Sequence, residues 1–87
     1  MRSISVVVVD DEQPACDRLS NLLAKFKEVE PLGSFTDSLK AVEFIKRKYP
    51  DIVFLDVELE NGISAFDIIT KIRDEADKSP HFVIVTA

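Results

Sequence analysis

Ile52-Val53-Phe54-Leu55 is a run of four apolar residues, entered through Pro50-Asp51 and closed by Asp56. A run this short and without alternation reads as a strand buried on both faces. Its acid arrives where the strand leaves the sheet. The rest of the chain reads as floor and walls for that one carboxylate.

Two further runs have the same character. Ile4–Val9 is β-branched at five of six positions and ends in Asp10-Asp11-Glu12. Phe82–Val85 is fully apolar and ends in Thr86-Ala87. A weaker segment, Val29–Phe35, is interrupted by Pro31 and Gly33 and is expected to be a short edge strand. Helical patterns lie between these segments. Pro14 suits a first helical turn, and Ala15, Leu19, Leu22, Leu23 and Phe26 form an apolar stripe. Thr36, Asp37 and Ser38 are candidate N-caps for a second helix from about Leu39 to Lys48, which buries Ala41, Val42 and Ile45. Its last turn carries Lys46-Arg47-Lys48, expected to be a solvated cationic end that favours the helix dipole. Asn61-Gly62 marks a turn, and a third helix is expected from about Ser64 to Ala76. Strands alternating with helices imply a parallel sheet with right-handed crossovers.

Composition narrows the function classes. The 87 residues suffice for one small domain, residues 1–87, and 46% hydrophobic content supports a core. A net charge of −5 argues against direct nucleic-acid binding by this segment. The apolar runs are too short to span a bilayer, so no membrane binding is expected. No secretory signal pattern is visible, and a single cysteine, Cys16, excludes an internal disulfide. A cytoplasmic location is the expectation.

In open α/β sheets the site lies outside the carboxyl ends of the strands. Asp10-Asp11, Asp56 and Thr86 all fall at such ends. Converging carboxylates repel one another, so the cluster is expected to raise a carboxyl pKa or bind a cation. An all-oxygen donor set points to Mg²⁺. Asp56 could then attack phosphorus to form an acyl phosphate, with Thr86 donating to the phosphoryl oxygens.

Val6-Val7-Val8-Val9-Asp10-Asp11-Glu12, Pro50-Asp51-Ile52-Val53-Phe54-Leu55-Asp56 and Ile84-Val85-Thr86-Ala87 together resemble the receiver domain of two-component response regulators. Ala15, Arg18 and Leu19 after the acidic start look most like receivers joined to LytTR-type DNA-binding domains. The resemblance implies a flavodoxin-like receiver fold with a parallel sheet in the order 2-1-3-4. It implies that Asp56 is the phosphoacceptor, that Asp11 binds Mg²⁺ directly and Asp10 through water, and that Glu58 lends its backbone carbonyl. Thr86 would be the switch hydroxyl and Ala87 the small residue beside it. A histidine kinase would be the donor, and the domain would be a phosphoacceptor with at most weak self-phosphorylation or dephosphorylation activity, not an enzyme.

Three departures stand out. Leu59-Glu60 replaces the family's usual Met-Pro, and Ile63-Ser64-Ala65 stands where a Gly is usual, implying a loop one residue longer. Glu60 adds negative charge near the site. The sequence also stops after the fourth strand, without the final helix-strand-helix and the family's lysine. It is therefore expected to be part of a larger regulator, marginally stable and poorly phosphorylated, with its output domain beyond Ala87. The bare 82–86 strand is expected to promote homodimers.

Two alternatives compete. A pseudo-receiver would keep the fold as a protein-docking module. A haloacid-dehalogenase-type phosphohydrolase would need Asp and Thr where Glu58 and Glu60 stand. With only Gly33 and Gly62, a dinucleotide-binding loop is not supported. Cys16 is expected to be a partly buried free thiol, His81 to lie at the far end of the sheet, and Phe44 and Tyr49 to pack the second helix or its exposed edge.

Overall fold

The computed structural model describes residues 3–57, 59 and 63–85. Four strands, β1 (Ile4–Val9), β2 (Val29–Phe35), β3 (Ile52–Asp56) and β4 (His81–Val85), alternate with α1 (Gln13–Leu23), α2 (Ser38–Lys48) and α3 (Ala65–Glu75). All pairings are parallel, and the sheet runs β2-β1-β3-β4. This is the order the resemblance implies.

Two of the three uninterrupted apolar runs, Ile4–Val9 and Ile52–Leu55, became the central strands, whose inner residues are covered on both faces. Val7, Val9, Val53 and Leu55 meet Ala41, Val42, Ile45, Ala65, Ile68 and Ile72 from α2 and α3. On the opposite face Val6 and Val8 are also buried. Burying side chains of this size contributes about 1.5–3 kcal/mol each.

β2 spans the expected segment and lies at one edge of the sheet, as expected. Val6 pairs with Pro31 and Val7 with Gly33, so Leu32 is an extra residue where the register shifts. An edge strand tolerates Pro31 because one side of its backbone makes no ladder bonds.

Local signals set the helix ends. Asp37 is the N-cap of α2 and accepts from the amides of Leu39 and Lys40 at 2.9 and 3.2 Å. Ser64 and Asp67 form a capping box at the start of α3. α2 ends on Tyr49, a non-glycine residue at φ 50°, and Pro50 then prevents continuation.

α1 departs from the expected buried stripe. Leu22 is 52% exposed, and Phe26, 54% exposed, lies past the helix end at Leu23. α1 lies over β1 and β2, so its outer flank looks onto an open groove rather than onto a neighbouring helix. β4 is the other edge, and Val83, Ile84 and Val85 are each more than a third exposed. Among the described residues no helix is long and apolar enough to cross a membrane.

Candidate functional site

The β1–β3 register builds the site. Val9 pairs with Leu55, so Asp10 and Asp56 follow at the same level of adjacent parallel strands. Asp11 is the next residue on the β1 side. One carboxylate oxygen from each of Asp10, Asp11 and Asp56 lies within 4.8 Å of the others. Asp10 and Asp56 are half-buried and Asp11 is exposed.

Asp10 is held by three hydrogen bonds. Its amide donates to the carbonyl of Phe35 at 3.0 Å, tying it to the end of β2. Its Oδ1 accepts from the amide of Glu12 at 3.0 Å, a local turn that Asp readily makes. Its carbonyl accepts from Cys16 Sγ at 3.3 Å. Cys16 is fully buried, more than its sequence setting implied, because α1 lays it over the β1–β2 end. Burial, followed by the nearby Asp10 charge, pushes its thiol pKa up.

Behind Asp56 the chain is also fixed. The Val57 amide donates to the Val85 carbonyl at 3.3 Å, and the Val57 carbonyl accepts from the Ala65 amide at 3.1 Å. Asp56 therefore sits where β3, β4 and the start of α3 meet. Leu59 is buried, and its amide donates to the Ile63 carbonyl at 2.8 Å. Beside the acids, a groove of about 640 Å³ runs between α1 and the sheet, touching Asp10, Asp56, Phe54 and Val85.

One carboxylate oxygen from each of the three acids lies close enough to the others to face a common Mg²⁺ ion. Three hard oxygen donors without sulfur or imidazole suit such an ion.

Thr86, Ala87, Glu58 and Glu60 lie outside the described residues, as does most of the loop expected to be one residue longer. His81 begins β4 beside Ile52, at the far end of the sheet from the acids, as expected. Lys46 is not simply a solvated helix end: it reaches Glu75 of α3 at 2.8 Å. Periodicity within α2 gives no hint of this partner.

Comparisons with known proteins show the family and the fold. The response regulator receiver domain family matches residues 6–87. The chain is 40% identical over 86 residues to the sensory transduction protein LytT of Bacillus anthracis, an alignment covering 97% of this chain and 33% of the relative. The similarity agrees with the LytTR-type subfamily expected from the acidic start. The chain spans about a third of the length of the first curated relatives it matches. Among solved structures, the response regulator domain of Thermotoga maritima CheB superposes with a TM-score of 0.87 at 26% identity, covering 98% of this chain and 61% of that one. The response regulatory domain of Klebsiella pneumoniae mrkE superposes with a TM-score of 0.79 at 31% identity, covering 97% and 67%. With its acidic cluster at the ends of β1 and β3 in a 2-1-3-4 sheet, the chain belongs to the response regulator receiver domain family.

Proposed function

We propose that residues 1–87 are part of a receiver domain that accepts a phosphoryl group on Asp56 from a histidine kinase in the cytoplasm. The observation that carries this reading is the convergence of Asp10, Asp11 and Asp56 at the carboxyl end of the sheet. Asp10, Asp11, Asp56 and the backbone carbonyl of Glu58 would hold Mg²⁺. When bound, the ion supplies positive charge against the oxygens of the arriving phosphoryl group. A carboxylate oxygen of Asp56 forms the new bond to phosphorus as the phosphorus–nitrogen bond of a phosphohistidine breaks, and the electron pair leaves with the imidazole. The Thr86 hydroxyl would donate to a phosphoryl oxygen of the product. Asp10 supports the site by staying in place, since its amide, its carbonyl and one carboxylate oxygen are already bonded.

The modified domain would signal to an output domain, by resemblance a LytTR-type DNA-binding domain. The test is intact mass of the chain in its full reading frame after incubation with acetyl phosphate and Mg²⁺. Wild type should gain one phosphoryl group and Asp56→Asn none. A wild type without adduct would favour the pseudo-receiver reading.

The bare β4 edge supports a second element of the proposal, association of two copies of the 87-residue chain through 82–86. Light scattering should show a dimer at micromolar concentration. A stable monomer there contradicts it.

A further inference from the structure

The opposite edge of the molecule carries a smaller groove of about 340 Å³, formed by α2 and the end of β2. Phe35 and Phe44 line it, with ring centroids 5.0 Å apart and planes tilted by 48°. Leu39 stands at its mouth and is 65% exposed, the most exposed large apolar side chain among the described residues. Lys40 and Arg47 form the rim together with Glu43. The Glu43 carboxylate is already engaged by Lys46 at 3.6 Å. Among the described residues neither Lys40 nor Arg47 pairs with a carboxylate. α2 carries Lys40, Lys46, Arg47 and Lys48 against one acid, Glu43, in a chain whose net charge is −5. The helix is a local cationic face on an acidic molecule.

We propose that this groove docks an acidic amphipathic segment of a protein partner, with one apolar side chain seated against Leu39, Phe35 and Phe44 and its carboxylates meeting Lys40 and Arg47. The charge pattern selects the partner. An apolar notch between two cations fits a helix with a leucine stripe and acidic flanks. An extended polyanion such as DNA would find only a short cationic strip on a protein that repels it overall. The groove lies on α2 and β2, so this surface is separate from the acid cluster and does not depend on phosphorylation of Asp56.

The probe is a short fluorescein-labelled helical peptide with a leucine stripe and glutamate flanks. Its twin carries lysine in place of glutamate. The acidic peptide should raise anisotropy at low salt, and the basic twin should not. Lys40→Glu with Arg47→Glu should weaken binding by about tenfold, and Leu39→Ala by about fivefold. Lys78→Glu, an exposed charge change elsewhere, should leave affinity unchanged. All of these side chains are exposed, so the variants should fold, and circular dichroism checks that they do. The proposal is overturned if the acidic peptide does not bind, if both peptides bind alike, or if the groove variants bind as well as wild type. Binding of anionic vesicles or duplex DNA that is lost in the same variants, without peptide binding, also overturns it.

Discussion

The carboxylate of Asp51 accepts from both the amide and the hydroxyl of Ser5, at 2.9 and 3.2 Å. The amide of Asp51 in turn donates to the Ser5 hydroxyl at 2.9 Å and to the Ser5 carbonyl at 3.0 Å. This clamp joins the starts of β1 and β3, one residue before Val6 and Ile52 pair. At the other ends of the same two strands stand Asp10 and Asp56. A one-residue slip between β1 and β3 would separate those acids and turn buried side chains outward.

Removing the charged acceptor should therefore cost more than removing the hydroxyl. Asp51→Ala is expected to destabilise the fold by about 2 kcal/mol and Ser5→Ala by about 1 kcal/mol. Urea denaturation measures both. Equal, negligible effects would show that the clamp does not hold the strands in register.

Glu75 links α3 to α2 and provides a pH signature. Hydrogen bonds from Lys46 and then Lys71 pull its carboxyl from 4.5 down to about 2. Because the folded-state value is the lower one, its stabilisation is fully present above about 4.5 and is lost as pH falls toward about 2. Glu75→Gln should be less stable than wild type near neutral pH, with the difference closing in acid. The pair is solvent-exposed, so the effect should be small and reduced by salt. A difference that stays constant from neutral pH into acid would rule this linkage out.

Ser38 presents the opposite case. It is only 5% exposed, and its hydroxyl finds no hydrogen-bond partner among the described residues. Ser38→Ala should raise stability by about 1 kcal/mol, since a buried hydroxyl without a partner is unfavourable. Thermal or urea unfolding decides this, and a clear loss of stability would contradict it.

The parts legible in the sequence were those written in consecutive residues. Val6–Val9 and Ile52–Leu55 announce covered strands, and the acids that close them fall together once the strands run parallel. Pro14, Asp37 and Pro50 punctuate the helices through backbone chemistry that needs no distant partner. The less legible parts depend on tertiary neighbours. Ser5 and Asp51 are 46 residues apart. The Lys46–Glu75 bridge requires α2 and α3 to lie side by side. Periodicity assigns Leu22 and Phe26 to one buried helical stripe, yet Leu22 lines the open groove beside α1 and Phe26 falls past the helix end. β2 has the bounds its sequence suggested, but the register shift that leaves Leu32 as an extra residue depends on pairing with β1.

Asp56, and neither Asp10 nor Asp11, is expected to carry the phosphoryl group. Borohydride reduction of an aspartyl phosphate leaves homoserine, which peptide mapping can assign to a position. After treatment with acetyl phosphate and Mg²⁺, the chain in its full reading frame should yield homoserine at position 56, and omitting Mg²⁺ should abolish it. Homoserine at position 10 or 11 instead, or at none of the three, would contradict the account.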